Sequence, residues 1–326
     1  MDLADQIFAI KSTATFHKVC LEVFKFQANH CAIYADYLAL IRVAPEKVNT
    51  IADIPFLPIE FFKHHQVRSV EQEPEVVFSS SGTTGSATSK HEVADVSLYT
   101  RSFRLAFEQF YGTPQDMAIL ALLPSYAERT GSSLIYMVDD LISQSQYPES
   151  GYFLYDHQAL HAALLALKEK GTPTLLLGVT YALLDFVEHY SVDFSRLTVM
   201  ETGGMKGRRR ELIREEVHSS LCKGFNVSHI HSEYGMTELL SQAYARQDGL
   251  FQCPPWMQVS IRDTNDPFTP LPHGRTGAIN IIDLANLNSC SFIATQDLGK
   301  VHEDGRFEVL GRFDQSDIRG CNLLVQ

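Results

Sequence analysis

The sequence predicts an α/β fold, with mainly parallel βαβ sheets flanked by helices and a small antiparallel β subdomain following them. Two patterns predict it. From Asp116 onward, short apolar runs at Met117 to Leu123, Thr174 to Leu177, Leu197 to Met200 and Asn226 to Ile230 alternate with helical stretches such as Asp156 to Lys170 and Tyr181 to Tyr190. Nearly continuous apolar strands of this kind are buried on both faces of a parallel sheet. After Pro254-Pro255 the pattern turns to β runs at Gln258 to Arg262, Ala278 to Asp283, Ser291 to Ala294 and Arg306 to Leu310, divided by Gly, Asn and Asp turns.

Before these, an apolar period of about 3.6 from Leu3 to about Ile41 reads as helix, and the proline-punctuated Ile51 to Phe62 leads toward a loop. The expected organisation is a helical segment over 1–70, an α/β nucleotide-binding core over 71–250 and a β-rich subdomain over 251–326. No internal repeat, low-complexity tract or disordered linker divides them.

The chain has 326 residues and 45% hydrophobic content, enough to bury a large core. A net charge of −12 leaves no electrostatic footprint for nucleic acid or an anionic membrane. The six cysteines, Cys20, Cys31, Cys222, Cys253, Cys290 and Cys321, are scattered without the spacing of a zinc or redox site, as reduced thiols would be. The acidic N-terminus and the lack of an apolar run near the roughly 18 residues of a membrane span lead to the expectation of a soluble cytoplasmic protein.

The stretch Ser79-Ser80-Ser81-Gly82-Thr83-Thr84-Gly85 follows the apolar Val76-Val77-Phe78. Glycines let successive N–H groups converge on an anion, and hydroxyls add donors, so the loop reads as a phosphate cradle. No Gly-Lys-Ser/Thr follows, which excludes a Walker A loop. On its own the run is equally a flexible surface loop. Ligands sit at the carboxyl ends of parallel strands. The loop after Phe78, the turn at Gly203-Gly204 and the turn at Tyr234-Gly235 are therefore expected at one sheet edge.

Other segments accompany the loop in order: Gly203-Gly204-Met205, Tyr234-Gly235-Met236-Thr237-Glu238, Thr295-Gln296-Asp297-Leu298-Gly299 and Gly311-Arg312-Phe313-Asp314. The set resembles the adenylate-forming superfamily of acyl- and aryl-CoA ligases, over roughly residues 75 to 321. Ile54-Pro55-Phe56-Leu57-Pro58-Ile59-Glu60-Phe61-Phe62-Lys63, Leu123 to Leu134 and Ile318-Arg319-Gly320-Cys321 further resemble the LuxE family of acyl-protein synthetases. That resemblance implies ATP and Mg²⁺ as cofactors and a fatty acid that is adenylated, then carried as a thioester on a cysteine at the position of Cys321. It also implies the large N-terminal domain of adenylate-forming enzymes, with the expectation that the lid domain which related enzymes carry beyond the Gly-Arg-x-Asp hinge is absent.

The resemblance assigns the leaving phosphates to Ser80, Ser81, Gly82, Thr83, Thr84 and Gly85. Lys90 reads as a cation near them or as an ordinary exposed lysine. Glu238 is implied as the Mg²⁺ ligand, in keeping with magnesium's preference for one carboxylate plus phosphates and water, or else is a solvated helix-start carboxylate. Thr237 would donate to the α-phosphate. Tyr234 would lie against adenine with Gly203, Gly204, Met205 and Gly235 nearby, or simply pack in the core. Asp297 would accept from the ribose hydroxyls, helped by Arg312, or cap the turn before Leu298-Gly299.

A thiolate at Cys321, favoured by Arg319, can attack an acyl-adenylate, whereas a lone cysteine near a terminus is ordinarily incidental. His229 and His231 read as packing residues or as neighbours of an acyl pocket. Tyr126, Glu128 and Arg129 read as a substrate wall, with Arg129 in either a substrate or a structural ion pair, and Arg208-Arg209-Arg210 as a solvated helix start. The acyl acceptor implied by the resemblance is a reductase, an acyl carrier protein or coenzyme A. An acid–CoA ligase of the phenylacetate type and a non-catalytic nucleotide- or acyl-binding subunit are the alternative functions.

Overall fold

A computed structural model of the chain describes residues 2–80, 88–124, 130–203 and 213–312. Two compact units emerge, one formed by Met1–Ser102, Thr237–Ser241 and Gln252–Gln326, the other by Phe103–Met236 and Gln242–Phe251.

The second unit contains the expected parallel sheet. Ala118–Leu122, Thr174–Gly178, Leu197–Glu201 and His231–Tyr234 pair in parallel in that order. Gly151–Tyr152 lies outside Ala118–Leu122, and Ala243–Ala245 runs antiparallel beside His231–Tyr234. Every residue of Ala118–Leu122 and Thr174–Gly178 is buried, because these apolar runs have both faces covered. Helices Ser133–Gln144, His157–Lys170, Thr180–Val187 and Arg214–Phe225 supply apolar stripes between the strands.

The strand expected over Asn226 to Ile230 lies one segment later, at His231–Tyr234. The helix before it continues to Phe225, burying Val217, Leu221 and Phe225, and stops where Asn226 takes the left-handed conformation at φ 49°. Asn enters this region more readily than most residues and there acts as a helix terminator.

In the first unit the long apolar period resolves into three helices, Leu3–Phe8, Thr13–His30 and Ala32–Leu40. The Ser12 hydroxyl caps the second by accepting from the Thr15 N–H, and an extended Cys31 separates it from the third. The antiparallel sheet runs in the order Pro270–Leu271, Met257–Arg262, Thr276–Asp283, Phe292–Val301 and Phe307–Arg312, with Leu57–Pro58 parallel to Phe292–Val301. Val76–Ser79 pairs instead with Lys90–Val93 in a separate two-stranded hairpin. The Ser/Thr/Gly loop thus does not extend from a parallel-sheet strand. Its local antiparallel partner satisfies the hydrogen bonds that a parallel neighbour would otherwise supply.

Buried side chains knit this unit together. Gln27, fully buried on the second helix, donates to the carbonyls of Asn286 and Leu287 at 2.9 and 3.0 Å and accepts from the Ser291 N–H at 2.9 Å. Next to them, Asp283 accepts from the N–H groups of Leu240, Ser241 and Ala285 at 2.9, 2.8 and 3.1 Å and from the Ser241 hydroxyl at 2.6 Å. Asn286 donates to the Glu238 carbonyl at 2.8 Å, and Trp256 donates its indole N–H to the Ser102 and Ser241 hydroxyls at 3.0 Å. Among the described residues, no helix is long and apolar enough to cross a membrane.

Removing the Asp283 acceptor orphans several buried donors at once. Asp283→Ala should lower stability by about 3 kcal/mol or more in urea denaturation, with Asp283→Asn losing less. A loss below about 0.5 kcal/mol, the level of an ordinary surface substitution, would contradict this role.

Candidate functional site

The sequence motifs of the first unit meet around Glu238. Ser80 and Ser89 close the base of the Ser/Thr/Gly loop: the Ser80 N–H donates to the Ser89 carbonyl at 3.0 Å and the Ser89 N–H to the Ser80 hydroxyl at 3.0 Å. The Ser89 hydroxyl in turn bonds the carboxylate of Glu238, which is only 6% exposed. Glu238 is therefore not the solvated carboxylate of the alternative reading. Burial pushes its carboxyl above the usual range, against the Ser89 bond and the positive charges of Arg312 and Lys63. Lys90 is exposed at the foot of the loop, opposite Ser79. Ser81, Gly82, Thr83, Thr84 and Gly85 lie outside the described residues.

Thr237 is positioned by its backbone. His91, buried on Lys90–Val93, bonds the Thr237 carbonyl through Nδ1 at 3.1 Å and the Ser289 hydroxyl through Nε2 at 2.8 Å, with Phe62 edge-on at 5.4 Å. Burial lowers the imidazole to about 4, against the pull of the Thr237 carbonyl. It is neutral at pH 7.

Asp297 sits within the long strand Phe292–Val301, directly across from Arg312. The turn-cap alternative fails, because the backbone there is extended and the Asp297 N–H donates to the Thr295 hydroxyl at 3.2 Å. Arg312 donates to the Gln296 side-chain oxygen at 3.1 Å, and the Gln296 amide donates to Glu60 at 2.7 Å. The proline-rich segment 54–63 is thereby tied to the Thr295-Gln296-Asp297 strand. Ser89, His91, Glu60, Lys63 and Gln296 are the positions that reading the sequence missed as working parts. Glu60, Lys63 and Gln296 stand inside the 54–63 and 295–299 motifs, but His91 had no signal beyond its residue type.

The second unit holds the remaining residues. Gly203 adopts φ +71°, and its N–H donates to the buried Glu201 carboxylate at 2.6 Å, which also accepts from the Thr180 hydroxyl at 3.0 Å. Burial acts to raise the Glu201 carboxyl, but the nearby His218, 3.8 Å away, and Ser232, the Arg214 charge and the Gly203 N–H hold it at about 2. Tyr234 is 9% exposed and packs on Phe251 with ring centroids 5.8 Å apart. A Cβ on Gly235 would lie 2.5 Å from Glu233 Oε1, so any larger residue there has to displace the Glu233 carboxyl. Burial, with the neighbouring Glu201 charge, pushes Glu233 to about 8.

His231 bonds the Tyr111 hydroxyl at 3.2 Å and is lowered to about 4 by burial and the charges of Arg246 and His229, while His229 is exposed ahead of the strand. Gly204, Met205, Tyr126, Glu128, Arg129, Arg208-Arg209-Arg210, Arg319 and Cys321 lie outside the described residues. No group of three or more His, Cys, Asp or Glu side chains among the described residues forms an all-protein metal cage.

The sequence matches the family described as acyl-protein synthetase, LuxE, over residues 9–326. It is similar to the long-chain-fatty-acid–luciferin-component ligase of Vibrio harveyi, 24% identical over 310 residues and covering 85% of this chain and 79% of that protein. The ligase of the same name from Aliivibrio fischeri is 22% identical over 339 residues, 94% of this chain and 86% of its own. Among solved structures, 2-hydroxyisobutyryl-CoA ligase with 2-HIB-AMP in the postadenylation state superposes with a TM-score of 0.69 at 12% identity, over 94% of this chain and 69% of that one. ATP-bound MatB from Rhodopseudomonas palustris gives 0.54 at 18% identity, over 72% and 47%. The fold is that of adenylate-forming enzymes.

His91 gives the first unit a pH dependence with a definite sign. Its folded value, about 4, lies below the ordinary 6.5, so its contribution is complete above pH 6.5 and is lost as pH falls toward 4. Between pH 7.5 and 5.5 this amounts to about 1 kcal/mol. His231 acts in the same direction and the raised Glu233 in the opposite one, so the readout is the difference from His91→Gln. The variant should show a smaller fall in stability between those pH values; an unchanged slope would contradict the buried neutral assignment.

Proposed function

Since the chain belongs to the LuxE family of acyl-protein synthetases, we propose that it is a ligase that activates a fatty acid with ATP and carries the acyl group on its own Cys321. The acid class is that named for the two luciferin-component ligases it is similar to. The observation that carries the adenylation half is the first unit's assembly of the Ser80–Ser89 loop base, Glu238 and Arg312, with Arg312 paired in register to Asp297. These are the phosphate, metal and ribose positions of the resemblance, brought together in one body.

In the first step a carboxylate oxygen of the acid forms a bond to the α-phosphorus of ATP while the bond to pyrophosphate breaks. Positioning and charge neutralisation carry most of such a step. Ser80, Ser81, Gly82, Thr83, Thr84 and Gly85 hold the departing phosphates, Thr237 donates to the α-phosphate, and Asp297 with Arg312 takes the ribose. Tyr234, Gly203, Gly204, Met205 and Gly235 take the adenine. Glu238 suits a magnesium ligand: it is a single buried carboxylate whose ionised form is disfavoured by burial, as expected where a cation completes the site. Bound Mg²⁺ would neutralise charge on the phosphates.

In the second step the Cys321 thiolate attacks the acyl carbonyl, the carbon–sulfur bond forms, the carbon–oxygen bond to AMP breaks, and the thiol proton passes to solvent. The thioester then awaits a reductase or carrier protein.

Incubation with ATP, Mg²⁺ and tetradecanoic acid, followed by intact-mass analysis, should show an acyl adduct that neutral hydroxylamine removes and that maps to Cys321. Cys321→Ser should eliminate it, and Glu238→Ala should slow its appearance by about 100-fold or more, the scale of losing a preorganised charge-stabilising group. Acyl-AMP without any adduct would move the acceptor to an external thiol such as coenzyme A. An adduct that survives Cys321→Ser would place the thioester elsewhere.

A further inference from the structure

A cavity of about 790 Å³ opens in the first unit between the N-terminal helices, the segment 49–56 and one face of the antiparallel sheet. None of the described residues assigned above to phosphate, metal, ribose or adenine lines it. Its volume is in the range of small-molecule sites, about 300–1,000 Å³.

The cavity has two unlike walls. On the sheet, Gln258, Ser260 and Arg262 alternate along one strand, and Ser260 pairs in register with Asn280 of the next, so four polar side chains share a face. The N-terminal stretch 17–56 contributes Leu21, Val43, Ile54 and Phe56, with His17 and Asn49 among them, and Phe268 is 60% exposed.

Arg262 is the unusual member. Its side chain is 8% exposed, with NH1 donating to the Ile279 carbonyl and the Asn280 side-chain oxygen at 2.6 Å each and NH2 donating to the Thr295 carbonyl at 2.6 Å. These neutral acceptors fix the guanidinium in place without cancelling its charge. No carboxylate among the described residues forms an ion pair with it, and burial lowers it to about 10, with Tyr37 the partner acting the other way. A buried charge is costly unless it is paired. The one carboxylate among the described lining residues, Asp53, is occupied by the Thr50 N–H and hydroxyl at 2.9 and 2.8 Å.

We propose that this cavity is a second ligand site, for an aliphatic carboxylate whose head group pairs with Arg262 beside Tyr37 and whose chain lies along Leu21, Val43, Ile54 and Phe56. A single fixed guanidinium matches a monoanion better than a phosphate, which recruits glycine-rich backbone or several cations. The apolar wall matches an alkyl chain, which gains by burial in proportion to its length.

The test is equilibrium binding of radiolabelled tetradecanoate to the full chain saturated with tetradecanoyl-sulfamoyl-adenosine, an unreactive mimic of the acyl-adenylate. One further equivalent of tetradecanoate should bind. Arg262→Met, which removes the charge, and Ser260→Phe, which fills the cavity, should each weaken that equivalent at least tenfold while leaving affinity for the mimic unchanged. Ser260→Phe decides alone if Arg262→Met fails to fold. The proposal is overturned if no further equivalent binds or if Ser260→Phe leaves its affinity unaltered. Failure of the mimic to bind would count against the adenylation reading instead, and the comparison of wild type with Ser260→Phe would then be made with tetradecanoate alone.

Discussion

The Asp283 carboxylate, fully buried and receiving three backbone N–H groups and a serine hydroxyl, decides where the chain goes after Gly235. Thr237–Ser241 belongs to the first unit although the residues on either side of it belong to the second. Five residues cannot hold such a position through their own local structure. They are held by Asp283 and Asn286 on one side and by His91 at the Thr237 carbonyl on the other. Glu238 is thereby carried to the Ser89 hydroxyl at the foot of the Ser/Thr/Gly loop, and the metal-binding role proposed for it depends on that placement.

Glu238 itself illustrates why the placement matters. An exposed carboxylate would be fully ionised and hydrated, and a cation would have to displace that water. Here burial has already removed the water and raised the carboxyl, while Arg312 and Lys63 act on it through their charge. Glu201 in the second unit shows the opposite balance: it is as deeply placed, but direct donors keep it ionised so that it can hold the Gly203 turn. Two buried glutamates thus have different protonation behaviour, set by whether hydrogen bonds or desolvation prevails.

Much of this was legible in the sequence, because the strand–helix alternation, the turn glycines and the ordered motifs are local patterns. The Thr174 and Leu197 strands fall where their apolar runs predict, and Asp297 stands across from Arg312 as two halves of one ribose motif could. What escaped was set by distance or by competition. Asp283 and His91 act on residues 42 to 43 and 146 positions away, and nothing beside them in the sequence marks them out. The strand before Tyr234 was displaced because Phe225 completes a helical stripe, which outweighs the β propensity of the residues that follow. The loop at Ser79 was expected on the parallel sheet because an apolar run followed by a glycine-rich loop looks the same in a βα turn and in a hairpin.

The central claim, that this chain activates a carboxylic acid as its adenylate, is tested most directly by ATP–pyrophosphate exchange. With Mg²⁺ and a series of straight-chain acids from six to eighteen carbons, labelled pyrophosphate should enter ATP only when an acid is present, with the rate depending on chain length. Absence of acid-dependent exchange across the whole series, in protein that still binds ATP, would contradict the claim and leave a nucleotide-binding subunit without the chemistry.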